Sequence, residues 1–261
     1  MAHMRRRADG YGLGVAVDAL QGRRILVTGA SSGVGAATAA ACVEAGARVA
    51  LLARRADRIH ALAGDLGEAA VATPADVRDE GEVRRAVAGA AERLDGLDGL
   101  VNAAGINWAA PLADGTVAQW RDMLETNLLG AFAVTQAALP HLIRAGGADI
   151  LTVSSMSGRR VLSPAMGVYA ATKAGLSRWT EALWLEVADR GVRVMLLSPG
   201  LIATDFAERT VDPQQRAANR SRLAETGLDP AEVAAQIAYM IGRPRNVRLG
   251  DVTILPTAQQ H

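Results

Sequence analysis

Short apolar runs alternate with stretches whose apolar residues recur at helical spacing, and this alternation organises most of the chain. Arg24-Ile25-Leu26-Val27-Thr28 is a β-branched run of strand length. An Ala-rich helix is predicted over about 36–45, ending at Gly46, a residue suited to a helix C-terminus. A second strand follows at 48–53, and the pattern then repeats. Helices at about 55–66 and 79–94 interleave with strands at about 69–75 and 97–102. After a loop come one long helix at about 117–145, a strand at about 149–154, a helix from Val168 to Val187 and a strand at about 192–198. Leu176, Trp179, Leu183 and Val187 give that last helix its apolar face. A polar segment at about 203–228 precedes a helix at about 230–241 and a final strand at about 250–255. Strands alternating with helices of this length imply a parallel sheet covered on both faces. With no linker, repeat or low-complexity tract, residues 21–261 are expected to form one domain. Met1-Ala2-His3-Met4 reads as a cloning remnant, and residues 1–20 as a flexible arm.

Composition narrows the function. Half of the 261 residues are hydrophobic and only 3% aromatic, which suits helices packed closely on a sheet. The 28 basic and 27 acidic residues nearly cancel, which argues against nucleic acid or a membrane surface as a general partner. Cys42 is the single cysteine, so an intrachain disulfide and a cysteine-based metal cluster are excluded. His3, His60, His141 and His261 lack metal-ligand spacing, and no metal is expected. No apolar run reaches the ~18 residues of a membrane helix. Val15 to Leu20 is too short for a signal peptide and carries Asp18, so a cytoplasmic location is expected.

Two stretches carry candidate chemistry. Gly29, Gly33 and Gly35 lie between the first strand and first helix, in Gly29-Ala30-Ser31-Ser32-Gly33-Val34-Gly35. Glycines there let the backbone turn tightly beside a pyrophosphate, while the helix start offers free N–H groups and a positive dipole end. The spacing is G-x-x-x-G-x-G rather than the commoner G-x-G-x-x-G. Tyr169 and Lys173 are four residues apart on a predicted helix, so they share a face. A cation beside the phenol favours phenolate, and the Tyr pKa is expected to fall towards working pH. The competing reading of this pair is a packed Tyr and a solvated Lys met by chance.

Thr28-Gly29-Ala30-Ser31-Ser32-Gly33-Val34-Gly35, Asn102-Ala103-Ala104-Gly105, Tyr169-x-x-x-Lys173 and Ser198-Pro199-Gly200, in this order, resemble the short-chain dehydrogenase/reductase family from about residue 22 to the C-terminus. The resemblance implies an α/β Rossmann fold whose seven-stranded parallel sheet has the order 3-2-1-4-5-6-7, with helices on both faces. It also implies nicotinamide dinucleotide binding. The glycine loop would hold the pyrophosphate, through Gly29, Ser31, Ser32, Gly33, Val34 and Gly35. Asp76 and Val77 would face the adenine, and Asn102, Ala103 and Gly105 would line the adenosine side. Pro199, Gly200, Ile202 and Thr204 would close on the nicotinamide, and residues 203–228 would form a mobile lid.

The choice of nicotinamide cofactor falls at the end of the second strand, where a carboxylate selects the ribose 2′-hydroxyl and an Arg accommodates a 2′-phosphate. Ala53 stands at the acidic position, followed by Arg54 and Arg55, so NADP(H) is expected over NAD(H). The alternative is that both arginines merely solvate a helix start.

The resemblance further gives Tyr169 as general acid or base and Lys173 as the residue that lowers its pKa and reaches the nicotinamide ribose. Asn127 would hold a relay water on its backbone carbonyl, and Ser155 would donate to the substrate oxygen. Ser155 lies fourteen residues before Tyr169 where the family usually has thirteen, and Met156 occupies the thirteen-residue position. Either one residue is inserted within Arg159–Val168, or the donor is another of Ser154, Ser155 and Ser157; Ser155 is favoured. Asn107, Trp108, Met156, Arg159, Met166 and Phe206 are expected near the carbonyl. Arg209, Arg216, Arg220 and Arg222 in the lid are read as a solvated face rather than as ligands for an anionic substrate.

The tail, Thr253 to Gln259, resembles the subgroup of serine and 3-hydroxy acid dehydrogenases and clavulanate-type aldehyde reductases. A homotetramer or homodimer is implied, through the helices around 117–145 and 168–190. Leu183, Trp184 and Val187 would serve that interface or pack in the core. The expected activity is reduction of a small ketone or aldehyde, or oxidation of the alcohol. The alternatives are a 3-oxoacyl-carrier-protein or polyketide ketoreductase, docking its carrier on Arg144, Arg159 and Arg160, and a non-catalytic NADP-binding sensor.

Overall fold

The computed structural model describes residues 19–161 and 163–259. Seven strands form one parallel sheet: β1 (Arg24–Thr28), β2 (Arg48–Ala53), β3 (Ala70–Pro74), β4 (Gly99–Asn102), β5 (Ala148–Val153), β6 (Val192–Pro199) and β7 (Asp251–Ile254). Their order is β3-β2-β1-β4-β5-β6-β7, as the resemblance implied. Helices α1 (Gly33–Glu44), α2 (Ala56–Leu66), α3 (Glu80–Leu94), α4 (Val117–Leu124), α5 (Gly130–Arg144), α6 (Gly167–Val187), α7 (Pro213–Thr226) and α8 (Pro230–Ile241) supply the connections.

The strands are mainly apolar because alternate residues feed two cores. Ile25, Val27, Val49, Leu51, Met195 and Leu197 meet α1, α2 and α8 on one face. Leu26, Ala50, Leu52, Leu100, Ile150 and Val194 meet α3, α5 and α6 on the other. Leu20, assigned to the arm by sequence, is fully buried in the first core, and its amide donates to the Ala45 carbonyl at 2.8 Å. Residues 1–18 of the expected arm lie outside the described residues.

Two departures from the sequence reading matter for the site. The long helix expected at 117–145 is broken by a π-turn at Glu125–Leu129, with Asn127 at its centre. Such turns displace carbonyls from the ordinary i→i+4 ladder and occur often at functional sites. The polar segment 203–228 contains a 3₁₀ turn, Asp205–Arg209, and helix α7. Only Leu223 of α7 is buried, so the segment shows no apolar period.

At the amino ends of the strands lies a charge network that sequence reasoning missed. Asp149 accepts from Arg193 Nε at 2.6 Å, Arg23 Nη2 at 2.7 Å and Arg245 Nη1 at 3.1 Å. Asp98 takes Arg23 Nε at 2.7 Å and Arg24 Nε at 3.0 Å. The carboxyl ends of the strands, where open parallel sheets bind ligands, hold every motif singled out above.

Candidate active site

The turn after β1 sets the approach to the sheet. Gly29 has φ +68°, and a Cβ there would stand 2.8 Å from the Ala104 Cα and 2.9 Å from the Ala103 carbonyl oxygen. A side chain would therefore push apart the β1 and β4 loops. Thr28 Oγ1 fixes the same junction by accepting from the Ala103 and Ala104 amides, both at 3.0 Å. At the start of α1, Ser32 is extended and makes no side-chain cap. The first-turn N–H groups thus have no capping side chain, which suits an anionic ligand.

Arg55 lies across this turn. It donates from Nε and Nη2 to Ser31 Oγ at 3.0 and 2.8 Å, and from Nη2 to Ser32 Oγ at 2.6 Å. Burial lowers its pKa, and the nearby Arg58 and Arg54 cations add to this against Asp205 and Asp57. Arg54 turns instead towards Asp76, 3.7 Å away. Asp76 is clamped by Arg78, from Nη2 at 2.6 Å, from Nε at 3.0 and 3.1 Å and from the backbone amide at 3.0 Å. Partial burial acts to raise the Asp76 pKa, but the Arg78 hydrogen bonds and the Arg78 and Arg54 charges outweigh it and hold the carboxyl below its usual value. Val77 is buried against Gly130. Asn102 donates to Thr135 Oγ1 at 2.9 Å, and its Oδ1 is buried without a partner.

Tyr169 and Lys173 are both buried in α6. Lys173 Nζ donates to the Val153 carbonyl at 2.9 Å and lies 5.9 Å from the centre of the phenol ring. Burial lowers its pKa to about 8. Burial also pushes the Tyr169 phenol up to about 12, and a hydrogen bond with Ser155 opposes this without prevailing. This runs against the expected fall of the tyrosine pKa: lost hydration decides the direction.

The structure separates the three serines. Ser154 Oγ bonds the Lys173 carbonyl at 3.0 Å and Ser177 Oγ at 3.1 Å. Ser157 is buried, and its amide donates to Ser155 Oγ at 3.1 Å. With a lone pair so engaged, the Ser155 hydroxyl proton is free to point at Tyr169. Gly158 packs against the Lys173 backbone, where a Cβ would stand 2.7 Å from the carbonyl carbon. The serine turn is therefore seated on α6.

Asn127 is fully buried. Its Oδ1 accepts from the Ile106 amide at 2.7 Å; its Nδ2 donates to the Ile106 carbonyl at 2.9 Å and to Thr172 Oγ1 at 3.1 Å. Gly105 lies beside it, with a hypothetical Cβ 3.4 Å from Lys173 Nζ and 3.6 Å from Asn127 Oδ1.

Across the cleft, Gly200 donates to the Ile254 carbonyl at 2.8 Å, Ile202 bridges to Leu228, and the Thr204 methyl stands 3.2 Å from a Cβ built on Gly33. The Phe206 ring meets Tyr169 edge-on at 5.2 Å. Met156 and Met166 sit in short 3₁₀ turns flanking the loop that precedes Tyr169. Asn107 is buried with its Oδ1 unpartnered. Trp108, expected at the carbonyl, donates its indole N–H to Asp122 Oδ2 at 2.9 Å. Arg159, expected there too, is paired with Asp251 on β7. Sequence reasoning missed Gln259, whose Oε1 accepts from the Leu201 amide at 2.8 Å, and the Arg78–Asp122 pair. Nothing in local spacing announces either. Among the described residues no cluster of metal-ligating side chains occurs, and no helix is long and apolar enough to cross a membrane.

A doubly wound sheet with a glycine turn at one end of the cleft, and a half-buried Ser155 beside the buried Tyr169 and Lys173 at the other, defines the class of nucleotide-dependent oxidoreductases with this topology. The short chain dehydrogenase model matches residues 23–215, and the chain belongs to that family. It is 34% identical over 240 residues to the glycine betaine reductase ATRR of Emericella nidulans, a match spanning 91% of this chain but only 19% of that longer protein. A short chain dehydrogenase from Burkholderia cenocepacia in complex with NADP is 37% identical, with a TM-score of 0.80 over 90% of this chain and 97% of that one. A 3-ketoacyl-(acyl-carrier-protein) reductase from Brucella melitensis complexed with NADH is 27% identical, with a TM-score of 0.80 over 90% and 98%.

Proposed function

We propose that the protein is an NADP(H)-dependent carbonyl reductase or alcohol dehydrogenase acting on a small ketone, aldehyde or hydroxy compound. The observation that carries this reading is the Ser155 side chain, fixed by the Ser157 amide and close enough to the buried Tyr169 to oppose the rise of its pKa, with a buried Lys173 one helical turn away. The residues fit the cofactor. The uncapped start of α1 and the Gly29 turn suit a pyrophosphate, and Arg55, held only by neutral hydroxyls, suits a 2′-phosphate. When bound, the nicotinamide supplies or accepts a hydride.

The protein side of the reaction follows from the site. Ser155 holds the substrate oxygen, where negative charge develops. Tyr169, protonated at neutral pH, gives its proton to that oxygen as the carbonyl is reduced and takes it back in the reverse direction. Lys173, below its own pKa of about 8, bears the charge that stabilises the transient phenolate. The Asn127 side chain is fully engaged with Ile106 and Thr172, which leaves its backbone carbonyl in the π-turn as the group available to a relay water. Thr204 and Phe206 place the lid over the cleft.

The test is nicotinamide oxidation over a panel of ketones, aldehydes and 3-oxo acids with NADPH and NADH, for wild type and Tyr169→Phe. Turnover lost in Tyr169→Phe with NADPH affinity retained supports the reading. Unaltered turnover in that variant refutes it. The ketoreductase alternative is weakened by Arg159, which is committed to Asp251 rather than free to dock a carrier.

A further inference from the structure

One carboxylate outside the catalytic set fastens the segment that covers Tyr169. Asp122, in α4, is partly buried. Its Oδ1 accepts from Arg78 Nη1 at 2.9 Å, and its Oδ2 from Trp108 Nε1 at 2.9 Å and Arg209 Nη1 at 3.4 Å. The Arg209 guanidinium also stacks on the Trp108 ring, 5.1 Å from its centre. Arg209 ends the 3₁₀ turn that begins at Asp205, and the Phe206 ring of this turn touches Tyr169. Two residues beyond, the Val211 amide donates to the Ala109 carbonyl at 3.1 Å, next to Trp108. The covering segment is thus held at Tyr169 by an aromatic edge and at Asp122 by an ion pair.

The other face of this contact leads away from the reaction. Arg78 divides its donors between two aspartates: Nη1 goes to Asp122, while Nε, Nη2 and the backbone amide go to Asp76. Asp76 sits at the carboxyl end of β3, on the adenosine side of the proposed cofactor cleft. A donor that engages Asp76 weakens its hold on Arg78 and leaves more of the guanidinium to Asp122.

We propose that Asp122 is a positioning residue: it latches the covering segment over Tyr169 through Arg209 and Trp108, and through the shared Arg78 it couples that latch to occupancy of the adenosine end. The latch stands on the contacts alone. The coupling rests in addition on the proposed cofactor reading. Linkage makes the coupling reciprocal, so cofactor binding tightens the latch and an intact latch tightens cofactor binding.

Hydrogen exchange read by mass spectrometry on the full chain tests the two parts separately. Without cofactor, Asp122→Asn and Arg209→Gln are expected to speed exchange of amides 205–211 by about tenfold, with the sheet unchanged and Arg209→Lys restoring most of the protection. Wild-type exchange in both variants overturns the latch. With a carbonyl substrate of the panel, both variants are expected to raise KM more than they lower kcat; a loss confined to kcat also overturns it. With saturating NADPH, the same amides are expected to gain protection in wild type but not in Arg78→Gln. Equal gains in both proteins overturn the coupling. Failure of NADPH to bind wild type overturns the cofactor reading and the coupling together, while the cofactor-free arm still decides the latch.

Discussion

Replacing Arg55 with Gln should separate the two nicotinamide cofactors. The guanidinium lies at the glycine turn, bonded at 2.6–3.0 Å to two serine hydroxyls and to no carboxylate, so its charge is available to a phosphate. A hydrogen bond from a charged group contributes about 1.5–3 kcal/mol net. Arg55 is largely exposed, so the lower part of that range applies. Losing about 1.5–2.5 kcal/mol weakens NADPH by roughly 10- to 70-fold. NADH lacks the 2′-phosphate and should change by less than about threefold. Arg54→Gln should have the smaller effect, because Asp76 at 3.7 Å already screens part of its charge. Fluorescence titration with NADPH and NADH, at low and high salt, measures these differences, and raised salt should narrow the NADPH advantage. Equal losses for both cofactors in Arg55→Gln would show that the side chain shapes the serine turn rather than reading the phosphate, and the reasoning fails.

Asp149→Asn should cost about 3–5 kcal/mol of stability, because it leaves Arg193 buried without its counter-charge. The Asp149 side chain is 0% exposed and that of Arg193 5%; urea denaturation at fixed protein concentration reads the change, and a loss under about 1 kcal/mol would contradict it. The pH profile of kcat/KM for reduction should be level below about 8 and fall as pH rises through it, because the lowered Lys173 pKa means that the cation is lost there. Tyr169 stays protonated up to its raised pKa of about 12, so it cannot produce that limb, and a level profile through pH 8 would count against the Lys173 role. Leu183 and Val187 prove to be core, whereas Leu129 and Leu185 are 56% and 71% exposed on the expected interface helices. If the chain assembles through these helices, Leu129→Arg should lower the mass read by light scattering without unfolding the chain, and an unchanged mass would count against an interface there.

The sheet was legible because a strand buried on both faces is written as a continuous apolar run, and the first two strands fell at the positions read from sequence. Features set by non-local contacts were not. The π-turn needs no unusual residue: Glu125-Thr126-Asn127-Leu128-Leu129 is consistent with unbroken helix, and only its packing against Ile106 and Thr172 shows what the turn accomplishes. Helix α7 buries a single leucine, so no apolar period marks it. The partners of Asp149 lie 44 to 126 residues away in sequence, beyond the reach of any local pattern.

The serine shows how a spacing anomaly becomes harmless. Ser155 stands one residue too far from Tyr169 by the family pattern, yet its side chain lies close enough to oppose the rise of the phenol's pKa. Gly158, pressed on the Lys173 backbone, fixes the serine turn against α6, so on the proposed reading an inserted residue would fall after it. There the chain is tied at its start by Arg159 to Asp251, and near its end by the Ala110 amide to the Ala165 carbonyl. Between these ties a longer loop costs little closure entropy, since that cost grows only slowly with length. On the proposed reading, Gly158 and the helix position the serine turn, and an inserted residue would fall on the rim of the substrate cleft. A one-residue deletion between Arg160 and Ser163 should accordingly leave NADPH affinity and the Lys173-dependent pH profile intact while changing which carbonyl compounds are turned over. Loss of all turnover with the fold preserved would place the insertion inside the catalytic geometry instead.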